Sequence, residues 1–458
     1  MKFSPLLVIL SLSTLLIAQE KKEAEISAYG ELTGQVRMYH IFESAYINNG
    51  PDHYNIDASA IGAHLKYKTP TFYNIGLGTA LYHVRELHNN RLRSDTIVGA
   101  GRFLSDDLSP ETISTENQLF YKTKKSTLTI GQQLYDSPMT KEIVTFLPNI
   151  FMGTSYTHTY AEKSKFTISH LNSMAFGSRA PVEFGLIGEG TNTAGATQNA
   201  LDSNANGADR GTFKSVEAIA LGKDVNNTKG IAVIGLDHQF NKTNSMRLWN
   251  YYADDIMNML YVEVEHKWKI GDMGLKFNAQ YLREDQVGDK LGSTNSATGS
   301  FANFDAQSSY LYGLKLSFKQ GKLKGFLGYN HTGDARIFNP WGGDPAYTSS
   351  FFSRNAYRAD VDAYKLTLNY SMTKKASIIA HYADYGTSNT LGNLLTVQTD
   401  QAFVKGTERA IETAILLSYK PTKAWHIFTG FIYKSSEYLE NGEPTHIFDA
   451  DLVITYKF

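Results

Sequence analysis

Apolar or aromatic residues recur at every second position in segment after segment of this chain, with polar residues between them. That is the spacing of a β-strand with one face in an apolar medium and the other in water. The last segment is the clearest: Phe448, Ala450, Leu452, Ile454, Tyr456 and Phe458 point one way and Asp449, Asp451, Thr455 and Lys457 the other, with Val453 the apolar exception. Leu260, Val262, Val264 and Trp268 alternate in the same sense with Tyr261, Glu263, Glu265 and Lys267, as Leu314, Leu316 and Phe318 do with Lys315, Ser317 and Lys319. Leu366, Leu368 and Tyr370 oppose Lys365, Thr367 and Asn369, and Ile415, Leu417 and Tyr419 oppose Glu412 and Ser418. Charge is thereby kept to one face.

A soluble sandwich can alternate in this way, so the punctuation between strands separates the cases. Short turns at 68–74, 122–126, 161–164, 241–244, 269–273, 319–322, 371–375 and 420–424 alternate with long polar loops. Before each turn stands an aromatic: Tyr67, Tyr121, Tyr160, Phe240, Trp268, Phe318, Tyr370 and Tyr419, and the chain itself ends on Phe458. Short turns on one side, long loops on the other and a repeated aromatic rim predict an all-β, antiparallel transmembrane barrel of about 18 strands, with both termini periplasmic. The segment 212–222 is also strand-like. It would make the count odd, so it is assigned to the long loop between 176 and 229.

Composition and charge narrow this further. Lys2 and an apolar run over 6–17 read as a signal peptide, with cleavage after Ala18 and a barrel over 19–458. Beyond it no stretch of about 18 apolar residues occurs, and the mean hydropathy of -0.30 also excludes helical spans. Strands wet on one side are hidden from that average, whereas 28 tyrosines fit an interfacial role. The absence of cysteine rules out disulfides and thiol chemistry, and a net charge of -1 gives no case for a nucleic-acid partner. No Gly-x-Ser-x-Gly, phosphate loop or dinucleotide fingerprint stands in a strand-to-helix setting, so the chain is not read as an enzyme. His83 and His88 are placed on opposite faces of one strand, which argues against a metal pair.

The segment Tyr29-Gly30-Glu31-Leu32-Thr33-Gly34-Gln35-Val36-Arg37-Met38-Tyr39 resembles the first strand of the OprD family of outer-membrane porins. Ile130-Gly131-Gln132-Gln133, then Pro138, then Leu147-Pro148-Asn149-Ile150-Phe151-Met152-Gly153 resembles the family's strand entering the third external loop and the strand leaving it. The resemblance implies an 18-stranded barrel, monomeric or a homotrimer. It also implies a third loop folded inward to narrow the pore and passage of small organic solutes, often carboxylates. The terminal Phe458 resembles the signal read by the outer-membrane assembly machinery. Gln132 stands where the family commonly has arginine, and 144–146 lacks the charges usual there, so the carboxylate preference is not carried over.

A pore of this class does no bond chemistry; width and focused side-chain charge set its selectivity. If 134–150 folds inward, Asp136, Lys141 and Glu142 are its charged residues and meet Arg37, Glu31 and Gln132 from neighbouring strands. Glu263, Glu265, Lys267, Lys315, Lys365, Asp449, Asp451 and Lys457 are expected on the lumen wall. Their plainer role is a solvated wall of mutually neutralising charges, and that of the loop charges is to hold the loop. Both signs are present, which predicts weak ion selectivity and passage of small polar or zwitterionic solutes through the pore, with outer-membrane lipid as the partner of the outer wall. Asp202, Asn204 and Asn206 with Gly207 reproduce the opening of a calcium loop, but Phe213 stands where its bidentate Glu belongs, so an external loop without cofactor is the favoured reading. The competing function is an adhesin or structural envelope barrel using the loops 188–211 and 339–358, the latter with Trp341, Phe351 and Phe352.

Overall fold

The computed structural model describes residues 29–46, 53–89, 110–140, 146–175, 211–217, 229–288, 308–334, 345–351, 360–386, 407–438 and 444–458, with single positions 177, 337, 341 and 343. Its strands are β1 (Glu31–Tyr46), β2 (His53–Lys68), β3 (Ile75–Asn89), β4 (Glu111–Lys122), β5 (Ser126–Gln133), β6 (Ile150–Ala161), β7 (Ser164–Ala175), β8 (Lys214–Ser215), β9 (Ile231–Gln239) and β10 (Asn244–Ala253). They continue as β11 (Met257–Ile270), β12 (Met273–Gln286), β13 (Ser309–Gln320), β14 (Leu323–Thr332), β15 (Asp362–Ser371), β16 (Ala376–Tyr385), β17 (Thr407–Tyr419), β18 (Trp425–Tyr438) and β19 (Pro444–Lys457). Each main strand pairs antiparallel with its chain neighbours, and β19 closes on β1. The two-residue β8 only touches the end of β7, while β7 pairs directly with β9. Removing it from the nineteen leaves the expected 18 staves, and the strand-like part of 212–222 belongs to the loop.

Closure satisfies the backbone without an exposed edge, which a sheet in lipid requires. At the seam Gly34 N donates to Phe458 O at 2.9 Å and Phe458 N to Gly34 O at 3.0 Å. The Phe458 ring lies over Gly34 so closely that a Cβ there would come within 2.3 Å of it, so a larger residue would displace the ring from the seam. Outside, Leu314, Leu327, Leu366 and Ile415 are among the exposed apolar side chains, and Tyr67, Tyr121, Tyr160, Phe240, Tyr370, Tyr419 and Phe458 lie exposed at one rim. Among the described residues no helix is long and apolar enough to cross a membrane.

One small expectation fails. β2 pairs Ser59 with His88 and Ala60 with Glu86, which leaves Leu87 as a bulge. The extra residue reverses the alternation, and cross-strand partners share a face, so His88 joins His83 on the outer side.

Candidate pore constriction

The buried side chains gather inside the barrel, where external loops fold back into it. The third loop, between β5 and β6, is held at both ends. Tyr135 Oη donates to Ser169 Oγ on β7 at 2.9 Å, Tyr251 Oη on β10 to Ser137 Oγ at 2.8 Å, and Met139 N to Tyr251 Oη at 3.3 Å. At the other end Phe146 and Leu147 pack with Ile41, Ala58, Ala60, Ala80, Tyr82, Val84 and Ile113 on β1 to β4. Small residues make the socket: a Cβ on Gly62 would lie 2.3 Å from the Phe146 ring. The described ends of the loop are therefore anchored on opposite sides, 135–139 at the β7–β10 wall and 146–147 at the β1–β4 wall.

The loop between β14 and β15 also enters, which the alternation pattern does not foretell. Gly343 N donates to Met139 O at 3.1 Å, joining it to the third loop. Trp341 is fully buried, with Nε1 donating to Val216 O in the loop between β7 and β9 at 3.4 Å. Tyr347 Oη donates to Glu263 Oε1 at 2.9 Å, and Lys315 Nζ lies 3.9 Å from the centroid of the same ring. Lys365 Nζ donates to Ser349 O at 2.6 Å, Phe351 N donates to Glu412 Oε1 at 2.8 Å, and the Phe351 ring stacks on His381. Trp341 and Phe351, expected on an adhesive outer surface, are thus turned inward. Phe352 and the rest of 188–211 short of Gly211 lie outside the described residues.

Several of the wall residues hold structure. Glu263, Lys315 and Lys365 clasp the inward loop, while Glu265 bridges Lys267 at 2.6 Å and Lys276 at 3.1 Å. Asp449 and Asp451 are buried on β19, and Lys457 is exposed at its end. Of the constriction set, Arg37 Nε donates to Thr455 Oγ1 at 3.1 Å, and Glu31 lines a cavity of about 390 Å³ with Thr33, Lys66, Lys68, Glu116 and Gln133. Asp136 is exposed. Lys141 and Glu142, and the Asp202, Asn204 and Asn206 set, lie outside the described residues.

Gln132 is a correction. Gln118 on the inner face pairs with Gly131, so Gln132 falls on the outer face with Ile130, and its neighbour Gln133 faces the lumen. Gln133 is buried there, where Ser155 Oγ hydrogen-bonds to its Oε1. Sequence reading also missed Lys66 and Glu116, whose ion pair at 2.8 Å crosses the cavity wall. A bulge opposite Thr79, with Glu116 at φ 53°, sets the adjacent Thr115 and Glu116 both on the inner side, so alternation counted through it loses the face of the residues beyond. The apolar pair Phe146–Leu147 inside a polar loop was the available clue to the socket.

A closed barrel narrowed from within by its own loops defines a membrane channel. A model of the outer membrane porin, OprD family, matches residues 114–376, more than half of the chain, and the protein belongs to that family. Solved structures agree in fold. A BenF-like porin from Pseudomonas fluorescens Pf-5 is 11% identical with a TM-score of 0.69, over 94% of this chain and 98% of that one. Acinetobacter baumannii OccAB4 is 14% identical with a TM-score of 0.66, over 94% and 99%. Pseudomonas aeruginosa OpdK with vanillate is 15% identical with a TM-score of 0.65, over 93% and 98%. No curated protein matches the sequence. The protein is an outer-membrane porin.

Proposed function

We propose that this porin passes small polar and zwitterionic solutes by diffusion, with little preference for either sign of ion. The observation that carries this reading is the cavity of about 390 Å³ below the third loop, walled by Glu31 and Glu116 together with Lys66 and Lys68. Fixed charges of both signs a few ångströms apart offer a place for an ammonium and a carboxylate at once, and their fields cancel at longer range. Elsewhere on the wall Asp237 is paired with Arg247 at 2.9 Å and Lys165 at 3.3 Å, which adds to the balance. A mixed-charge wall of this kind supports diffusion of small polar solutes. Vanillate accompanies OpdK; here the outer-facing Gln132 and the balanced wall favour a less restricted solute set.

Reversal potential across a salt gradient in a planar bilayer tests this. A value near zero is expected, and a value near the limit for one ion overturns the reading. In liposome swelling, glycine and small sugars should permeate.

In the same reading residues 1–18 are removed on export, Phe458 is read by the assembly machinery, and Lys141 and Glu142 add one charge of each sign to the constriction. The working oligomer is a homotrimer. The inward burial of Trp341 supports transport over adhesion for the loop 339–358.

A further inference from the structure

The outer wall is not uniform around the barrel. The second outward position above the periplasmic aromatic is Leu236, Val264, Leu314, Leu366, Ile415 or Ile454 on six of the staves, as lipid contact requires. On β4 it is Asn117, two outward positions above Tyr121. Asn117 stands at the centre of an outward polar cluster on β3, β4 and β5. Thr79 Oγ1 donates to its Oδ1 at 2.6 Å, and its Nδ2 donates to Gln132 Oε1 at 2.8 Å and to Ser114 Oγ at 3.0 Å. The Gln132 amide N–H groups have no partner among the described residues. In hydrocarbon, unmet donors of this kind are costly.

A second observation falls on the same sector. β5 has 8 residues and is the shortest stave among those described. A tilted strand needs about 9–11 residues to cross a bilayer. The wall is therefore low as well as polar where β4, β5 and β6 meet, and a short span is relieved by covering it with protein.

We infer that this face, centred on Asn117 and Gln132, is where copies of the chain meet in the membrane. A second copy is the occupant that the chemistry fits. The patch carries no charge, so identical faces do not repel, and carboxamides both donate and accept, so the face complements itself around a rotation axis. The inference rests on the outer-membrane porin reading and names the contact surface of its oligomer.

The test uses the full chain in outer-membrane fragments. The sequence has no cysteine, so Gln132→Cys carries a single thiol, as does Leu314→Cys on another wall. A flexible bifunctional maleimide should link copies through position 132 and not through 314. No product at 132, or equal product at 314, overturns the inference. Native mass measurement of detergent-extracted Asn117→Leu should give monomers where the wild type gives an oligomer, with the heat-modifiable folded band retained. A monomeric wild type, or an unchanged oligomer in the variant, also overturns it. Conductance per channel should stay at the wild-type value in Asn117→Leu; a wild type that conducts nothing would instead sink the porin reading.

Discussion

Phe146 anchors one end of the third loop to the wall of β1 to β4. Its ring fills a socket of alanines and Gly62, so Phe146→Ala should remove about 3–5 kcal/mol of anchoring and let the third loop leave the lumen. Single-channel conductance should rise, and an unchanged conductance would show that the loop is held elsewhere. Tyr251→Phe deletes the hydroxyl that joins Ser137 and Met139 to β10, a loss of about 1 kcal/mol, and should raise open-channel noise more than mean conductance. Tyr135, in the loop, has its phenol pushed up to about 12 by burial, against an ordinary value near 10. The folded state holds that proton more tightly, so its anchoring is whole below about pH 10 and is lost as pH rises toward 12. A pH titration of conductance should be flat on this account up to about 10 and climb above it; a step near neutrality would contradict it.

At the scale of elements, alternation assigns the face of a strand only while the strand is regular. The faces of β11, β13, β15 and β19 are legible from Val264, Leu314, Leu366 and Leu452 because those strands pair without interruption. β4 is not legible along its whole length, since its bulge sets the adjacent Thr115 and Glu116 both inward. Gln132 was misplaced for a related reason: the family-like Gly-x-Gln stretch was read by its motif, and the pairing of Gly131 with Gln118 decides its face. The loop between β14 and β15 makes a further prediction. Trp341→Ala removes the buried link to Val216 and should widen the entrance, so that larger sugars enter swelling liposomes faster than through the wild type. Equal rates would mean that this loop does not limit passage.

For the whole molecule, closure at the β1–β19 seam is the event on which everything else depends. Gly34→Val forces a side chain into the Phe458 ring, so the folded, heat-modifiable band should fall in yield and melt at lower temperature; wild-type behaviour would detach Phe458 from closure. The sequence by itself determined the barrel and its strand number. Each rests on local alternation, turn length and the aromatic before each turn, and lipid on one side of every strand enforces all three. The inward turn of the third loop was implied only by the family resemblance, and its anchor, the apolar pair Phe146–Leu147 against β1 to β4, is a matter of tertiary packing. Only the tertiary structure decided which charges face solute and which clasp a loop, because Glu263, Lys315 and Lys365 meet their partners across 16 to 84 residues of chain. Alternation sorts side chains between lipid and lumen, but the company kept inside the lumen follows from how separate loops pack there.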